Sequence, residues 1–121
     1  MQQSQSDNRV VLQRLRDIIV VPMPDPLAQS YLVELNDQLL QELHQNATHG
    51  VVLDMGAVAT LDADDFECLH RLWKTCTLMG SRLVLSGLQA GTAASLSMLG
   101  VNDRWAVSVR TVEQAMEKLQ R

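Results

Sequence analysis

The sequence predicts an α/β domain, with a mixed sheet that opens on an antiparallel hairpin and continues as βα units whose helices mainly cover one face. Three observations predict it. Two β-rich runs, Val10-Val11-Leu12 and Ile18-Ile19-Val20-Val21, flank a short polar stretch holding Arg14, Arg16 and Asp17. Beyond them, short apolar runs alternate with stretches of helical period, the order that joins parallel strands by right-handed crossovers. A chain of 121 residues with 46% hydrophobic content suits one shared core, built mainly from aliphatic side chains because Phe and Tyr occur once each.

Residues 1–8 are polar and are expected to form a flexible N-terminus, leaving a single domain over 9–121. The two β-rich runs pair as the hairpin. Pro22, Pro24 and Pro26 stop the second strand, and Asp25 before Pro26 reads as an N-cap with proline at the first helical position. A helix is therefore expected over 26–46. Leu27, Tyr31, Leu35, Leu39 and Leu43 recur every four residues, Leu32 and Leu40 widen the stripe, and Glu34, Asp37, Gln38, Gln41 and Glu42 fill the wet side.

Val51-Val52-Leu53 reads as a short strand buried on both faces. Asp62, Asp64 and Asp65 then form an acidic first turn ahead of a helical face made of Phe66, Leu69, Leu72, Trp73, Cys76 and Met79, and Gly80 closes that helix. Leu83-Val84-Leu85 is the next strand. Residues 90–99 form a short Ala/Ser-rich helix ended by Gly100, Trp105-Ala106-Val107 a last strand, and Val112, Ala115, Met116 and Leu119 mark a terminal helix.

Charge and composition exclude several functions. The formal charge is −4 with no Lys/Arg cluster, and aromatic residues are scarce, so neither phosphate neutralisation nor base stacking is supplied and no nucleic-acid partner is expected. No apolar run approaches the roughly 20 residues that span a bilayer, and MQQSQSDN lacks the order of a signal peptide. A cytoplasmic protein with no membrane partner is the expectation. Cys68 and Cys76 sit on one helix, roughly 12 Å apart along its axis, too far for a disulfide, and read as buried reduced thiols. His44, His49 and His70 show no metal-ligand spacing, and no Gly-rich phosphate motif is present. Neither a metal nor a cofactor is expected, and no nucleophile, base and orienting group share a recognisable spacing, so an enzyme is not expected.

Four segments carry a resemblance: Val51-Val52-Leu53-Asp54, the Leu61-Asp62 pair before a long helix, Leu78-Met79-Gly80, and Leu83-Val84-Leu85-Ser86-Gly87-Leu88. Together they resemble the STAS domains of anti-sigma-factor antagonists, and most closely the RsbS-type scaffold proteins of the bacterial stressosome. The resemblance covers nearly the whole domain. It implies the STAS (SpoIIAA-like) fold, and at the loop-to-helix junction after Asp62 it implies a serine that a partner kinase phosphorylates. Here that position is Ala63, whose methyl cannot hold a phosphoryl group, so the usual switch is absent there.

Ser86 aligns with a second hydroxyl position of such scaffolds; the plainer reading is a solvent-facing turn serine bonding local backbone. Gly87 permits a tight turn that leaves the hydroxyl at the mouth of the sheet edge, and Thr60 lies one loop away. For Asp62, Asp64 and Asp65, helix capping alone is the plainer reading; partner contact is the functional one. The loops 54–65 and 86–91 leave neighbouring strand ends, where open α/β sheets gather ligands.

By resemblance, the chain is expected to be a non-catalytic stressosome scaffold that binds and sequesters a serine/threonine switch kinase and releases it on phosphorylation. The same resemblance implies co-assembly with a paralogous, RsbR-type STAS co-scaffold and self-association into a large symmetric shell. The alternatives are an antagonist that binds an anti-sigma factor, and a STAS module that binds a nucleotide or lipid.

Overall fold

In the computed structural model, the described residues are 9–98, 105 and 107–120. The expectations for residues 1–8, Gly100 and Ala106 lie outside them. The chain runs β1 (Gln13–Leu15), β2 (Ile18–Pro22), α1 (Gln29–Gln45), β3 (Gly50–Asp54), α2 (Ala63–Leu78), β4 (Arg82–Ser86), α3 (Ala90–Met98), β5 (Ser108–Val109) and α4 (Val112–Leu119). The strands lie side by side in the order β1-β2-β3-β4-β5, antiparallel between the first two and parallel thereafter. The predicted fold class is the observed one.

Because each parallel strand is added on the same side of its predecessor, right-handed crossovers bring α1 and α2 to one face. Their apolar stripes meet Ile19, Val21, Val51, Leu53, Leu83 and Leu85 there. The alternate residues Ile18, Val20, Val52 and Val84 point the other way, onto Ala115 and Leu119 of α4. The middle strands are thus buried on both sides, as their unbroken apolar runs require. Gly50 marks the tightest contact under α4: a Cβ there would stand 2.6 Å from a Leu119 methyl carbon. Gly50→Ala is expected to cost about 1–3 kcal/mol through overpacking, read from denaturant unfolding.

Four expectations shift. The first strand is Gln13–Leu15 rather than Val10-Val11-Leu12, because the two-residue turn Arg16-Asp17 fixes the register at Gln13↔Val20, and continuing it would set Val11 against Pro22, which has no N–H. Arg16 holds the left-handed φ of 61° that such a turn uses. Helix α1 begins at Gln29 and not at Pro26, with Ala28 in the cap position and no side-chain cap. Asp25 accepts the Ala59 N–H at 3.3 Å instead. Leu40 is exposed, off the buried stripe. The last strand is Ser108–Val109 and not 105–107: the Trp105 ring lies against Phe66, His70 and Trp73 of α2, its carbonyl accepts the Val107 N–H, and bonding to β4 begins at the Val107 carbonyl, which accepts the Leu85 N–H at 2.8 Å.

Cys68 and Cys76 are both free and buried, and burial pushes the Cys76 thiol up to about 12, where it is inert at neutral pH. Gly80 ends α2 with a φ of 82°.

Candidate functional site

The C-terminal ends of β3 and β4 lie in register, Asp54 opposite Ser86, so the loops that leave them start side by side. Three hydrogen bonds then zip those loops together. Met55 N–H donates to the Ser86 carbonyl at 2.8 Å, the Gln89 side-chain amide to the Gly56 carbonyl at 2.7 Å, and the Thr92 hydroxyl to the Val58 carbonyl at 2.9 Å. Asp54 shapes the first turn by accepting the Gly56 N–H at 3.0 Å. Gly87 holds a φ of 71°, a left-handed turn that suits glycine, and packs against Gly56, where a Cβ would make ordinary contact at 3.5 Å. The loop 54–59 is therefore joined to 86–92, and it is this loop that runs on through residues 60–65 into the start of α2.

On this strand-end rim Thr60, Asp62, Ala63 and Asp64 are exposed and Asp65 is half-buried. Asp62 is the N-cap of α2: its carboxylate accepts the Asp65 N–H at 2.8 Å while Asp65 accepts the Asp62 N–H at 3.2 Å, a reciprocal capping box. Two of the three aspartates thus have a structural task, and Asp64, between them in sequence, is exposed. Partial burial, with the neighbouring Asp62 and Asp64 charges, holds the Asp65 carboxyl above its ordinary value although the Asp62 N–H bond pulls the other way. Its contribution to stability is thus full below the ordinary aspartate range and falls as pH rises through the raised value. Ala63 is the first helical residue, flanked by two carboxylates at the positive end of the helix.

Ser86 corrects the expectation of a hydroxyl at the mouth of the edge. It is the last residue of β4, only 1% exposed, and its Oγ has no hydrogen-bond partner among the described residues. It points to the α4 side of the sheet, as Val84 does two residues earlier, while Gly87 makes the turn. The hydroxyl is therefore shielded from solvent and from any large partner in this structure. Removing an unpartnered buried hydroxyl relieves a desolvation cost, so Ser86→Ala is expected to leave stability unchanged or raise it by up to about 1 kcal/mol in thermal or denaturant unfolding.

Sequence reasoning missed the anchors of the rim: Asp25, Asp54, Gln89 and Thr92. Only Thr92 left a signal, as the one β-branched residue in an Ala/Ser-rich helix; it is the one buried residue of α3. Among the described residues no group of three His, Cys, Asp or Glu side chains could hold a metal ion, and no helix is long and apolar enough to cross a membrane. The arrangement offers a shaped acidic and small-residue surface suited to contact.

With the geometry in place, comparison with known proteins gives a consistent result. The family model for the STAS domain matches residues 9–118. A variant of RsbS from Moorella thermoacetica superposes with a TM-score of 0.80 at 25% identity, over 93% of this chain and 95% of that one. A chain from the molecular architecture of the stressosome gives 0.79 at 22% identity, over 91% and 96%. A protein from Thermotoga maritima ascribed to the anti-sigma factor antagonists gives 0.76 at 18%, over 96% and 99%. The last two likenesses are of fold. No match was found among the curated protein sequences.

Proposed function

Because the chain belongs to the STAS-domain family, we propose that it is a non-catalytic scaffold of the stressosome kind, whose rim over 60–65 and 86–91 docks a serine/threonine switch kinase. The observation that carries this reading is the pair of joined strand-end loops, the first of which leads into exposed Ala63 between Asp62 and Asp64 at the start of α2. Thr60, Asp62, Asp64, Asp65 and Gly87 shape the docking surface; Ala63 occupies the position at which added charge would act.

The switch is electrostatic. A phosphoryl group at this position brings about −1.5 to −2 charge next to two carboxylates, which repels an acidic or closely fitted partner surface. With alanine at 63, the chain holds its kinase without that release. Ser86 serves as a second acceptor only when the end of β4 opens. In the same reading the chain assembles with a paralogous, RsbR-type STAS subunit and with copies of itself into a large symmetric particle.

The test is to incubate the chain and its Ala63→Ser variant with a stressosome-type switch kinase and ATP, then map phosphate by mass spectrometry. The expected result is a stable kinase complex with the native chain and phosphate at position 63 in the variant alone. Absence of any complex with either protein would overturn the reading. Phosphate at Ser86 in the native chain would move the switch to the strand end.

A further inference from the structure

Aromatic side chains are scarce in this chain, yet Phe66, Trp73 and Trp105, all but Tyr31 of its Phe, Tyr and Trp residues, gather at one place. Measured between ring centres, Trp105 lies 5.1 Å from Phe66, 5.0 Å from His70 and 6.1 Å from Trp73, all three on α2. These rings are half-buried, outside the closed aliphatic core. Both tryptophans line a cleft of about 320 Å³, whereas Phe66 and His70 hold the Trp105 ring in place without bordering it.

The cleft follows from the shortness of β5. That strand pairs only with Leu85 and Ser86, so Arg82 and Leu83 at the start of β4 have no strand beside them on that edge among the described residues, and both border the cleft. Gly80, at the exit of α2, keeps it open: a Cβ there would meet nothing within 4 Å. The volume suits a small organic ligand. Trp73 and Trp105, tilted by 46° to each other, supply apolar walls for a flat ring. The charge of the lining has one sign. Arg82 is exposed, and its side chain makes one bond among the described residues, a long one of 3.5 Å to the Lys118 carbonyl. Thr77, also exposed, adds a hydroxyl, and no carboxylate is among the lining residues, so the cleft favours an anion over a cation.

We propose that this cleft binds a small planar aromatic acid, with its ring against Trp73 and Trp105 and its carboxylate paired with Arg82. Such a ligand joins the last turns of α2, the start of β4 and the segment before β5. The site is independent of kinase docking: Ala63 stands at the opposite end of α2, and a helix of 16 residues is roughly 24 Å long.

Titration of the isotope-labelled full chain with 1-naphthoate, followed by NMR, tests it, because the two indole N–H signals of the protein belong to Trp73 and Trp105, one each. The expected result is saturable movement of both indole signals with a Kd below about 1 mM, and an affinity about fivefold or more lower for the neutral analogue 1-naphthalenemethanol. Arg82→Gln removes that preference for the acid, and Thr77→Glu, which sets a carboxylate in the lining, weakens naphthoate by about fivefold or more. Both positions are exposed, so the remaining signals of each variant are expected to keep their native dispersion. No saturation up to about 10 mM, movement that spares the indole signals, equal affinity for acid and alcohol, or an Arg82→Gln protein that still prefers the acid overturns the proposal.

Discussion

Ala63→Glu is expected to weaken kinase binding by about tenfold or more, a change of about 1.4 kcal/mol, while leaving the fold as stable as before. The two halves of that expectation have separate causes. Position 63 is exposed and is the first residue of α2, so a glutamate there meets no packed neighbour and complements the positive helix end, which offsets its repulsion by Asp62 and Asp64. A docked partner has no such compensation. It would have to accommodate a third carboxylate and a longer side chain where the native chain offers a methyl group. Calorimetric titration gives the affinity and thermal unfolding the stability. If both fall together, the substitution has damaged the helix start and the docking reading gains nothing from it.

Leu53→Ala carries the largest expected stability effect. Leu53 lies on the central strand β3, is fully buried, and belongs to the core shared by the sheet, α1 and α2. Truncation removes three carbons from a site walled by Leu and Val side chains on a hydrogen-bonded strand that cannot collapse into the space. A cost of about 2–5 kcal/mol follows, enough to lower the melting temperature by about 10 °C or more. Because Asp54 is the next residue and begins the rim, local rearrangement would also loosen the Gly56 turn. Differential scanning calorimetry measures the first effect, and hydrogen exchange at Gly56 the second. A loss below 1 kcal/mol would mean that α1 and α2 close over the gap.

These expectations depend on features that differed in how plainly the chain spelled them. The βα order, the buried strands and the acidic start of α2 were legible because each rests on a local signal: an unbroken run such as Val51-Val52-Leu53, or carboxylates spaced to cap a helix. Registers were not. The placement of β1 at Gln13–Leu15 is decided by where the Arg16-Asp17 turn locks onto β2, and the Val10-Val11-Leu12 run, though richer in β-formers, has Pro22 where its ladder would continue. Trp105 likewise reads as a strand residue until its ring finds the aromatic side chains of α2.

The site divides in the same way. Adjacency of the two loops followed from parallel strand order, and the capping role of Asp62 and Asp65 from their spacing. The burial of Ser86 did not, since a serine at a strand end has the same local sequence whether its side chain points to solvent or beneath α4. The long-range anchors Gln89 to Gly56, Thr92 to Val58 and Asp25 to Ala59 join residues more than thirty positions apart and leave almost no local trace.

Calorimetric titration of the switch kinase into Ala63→Ser protein, before and after enzymatic phosphorylation of position 63, tests the docking rim most directly. A stoichiometric complex before modification, weakened about tenfold or more after it, is the predicted result. Equal affinity in the two states would contradict the account, because the rim would then be indifferent to the charge that is held to control it.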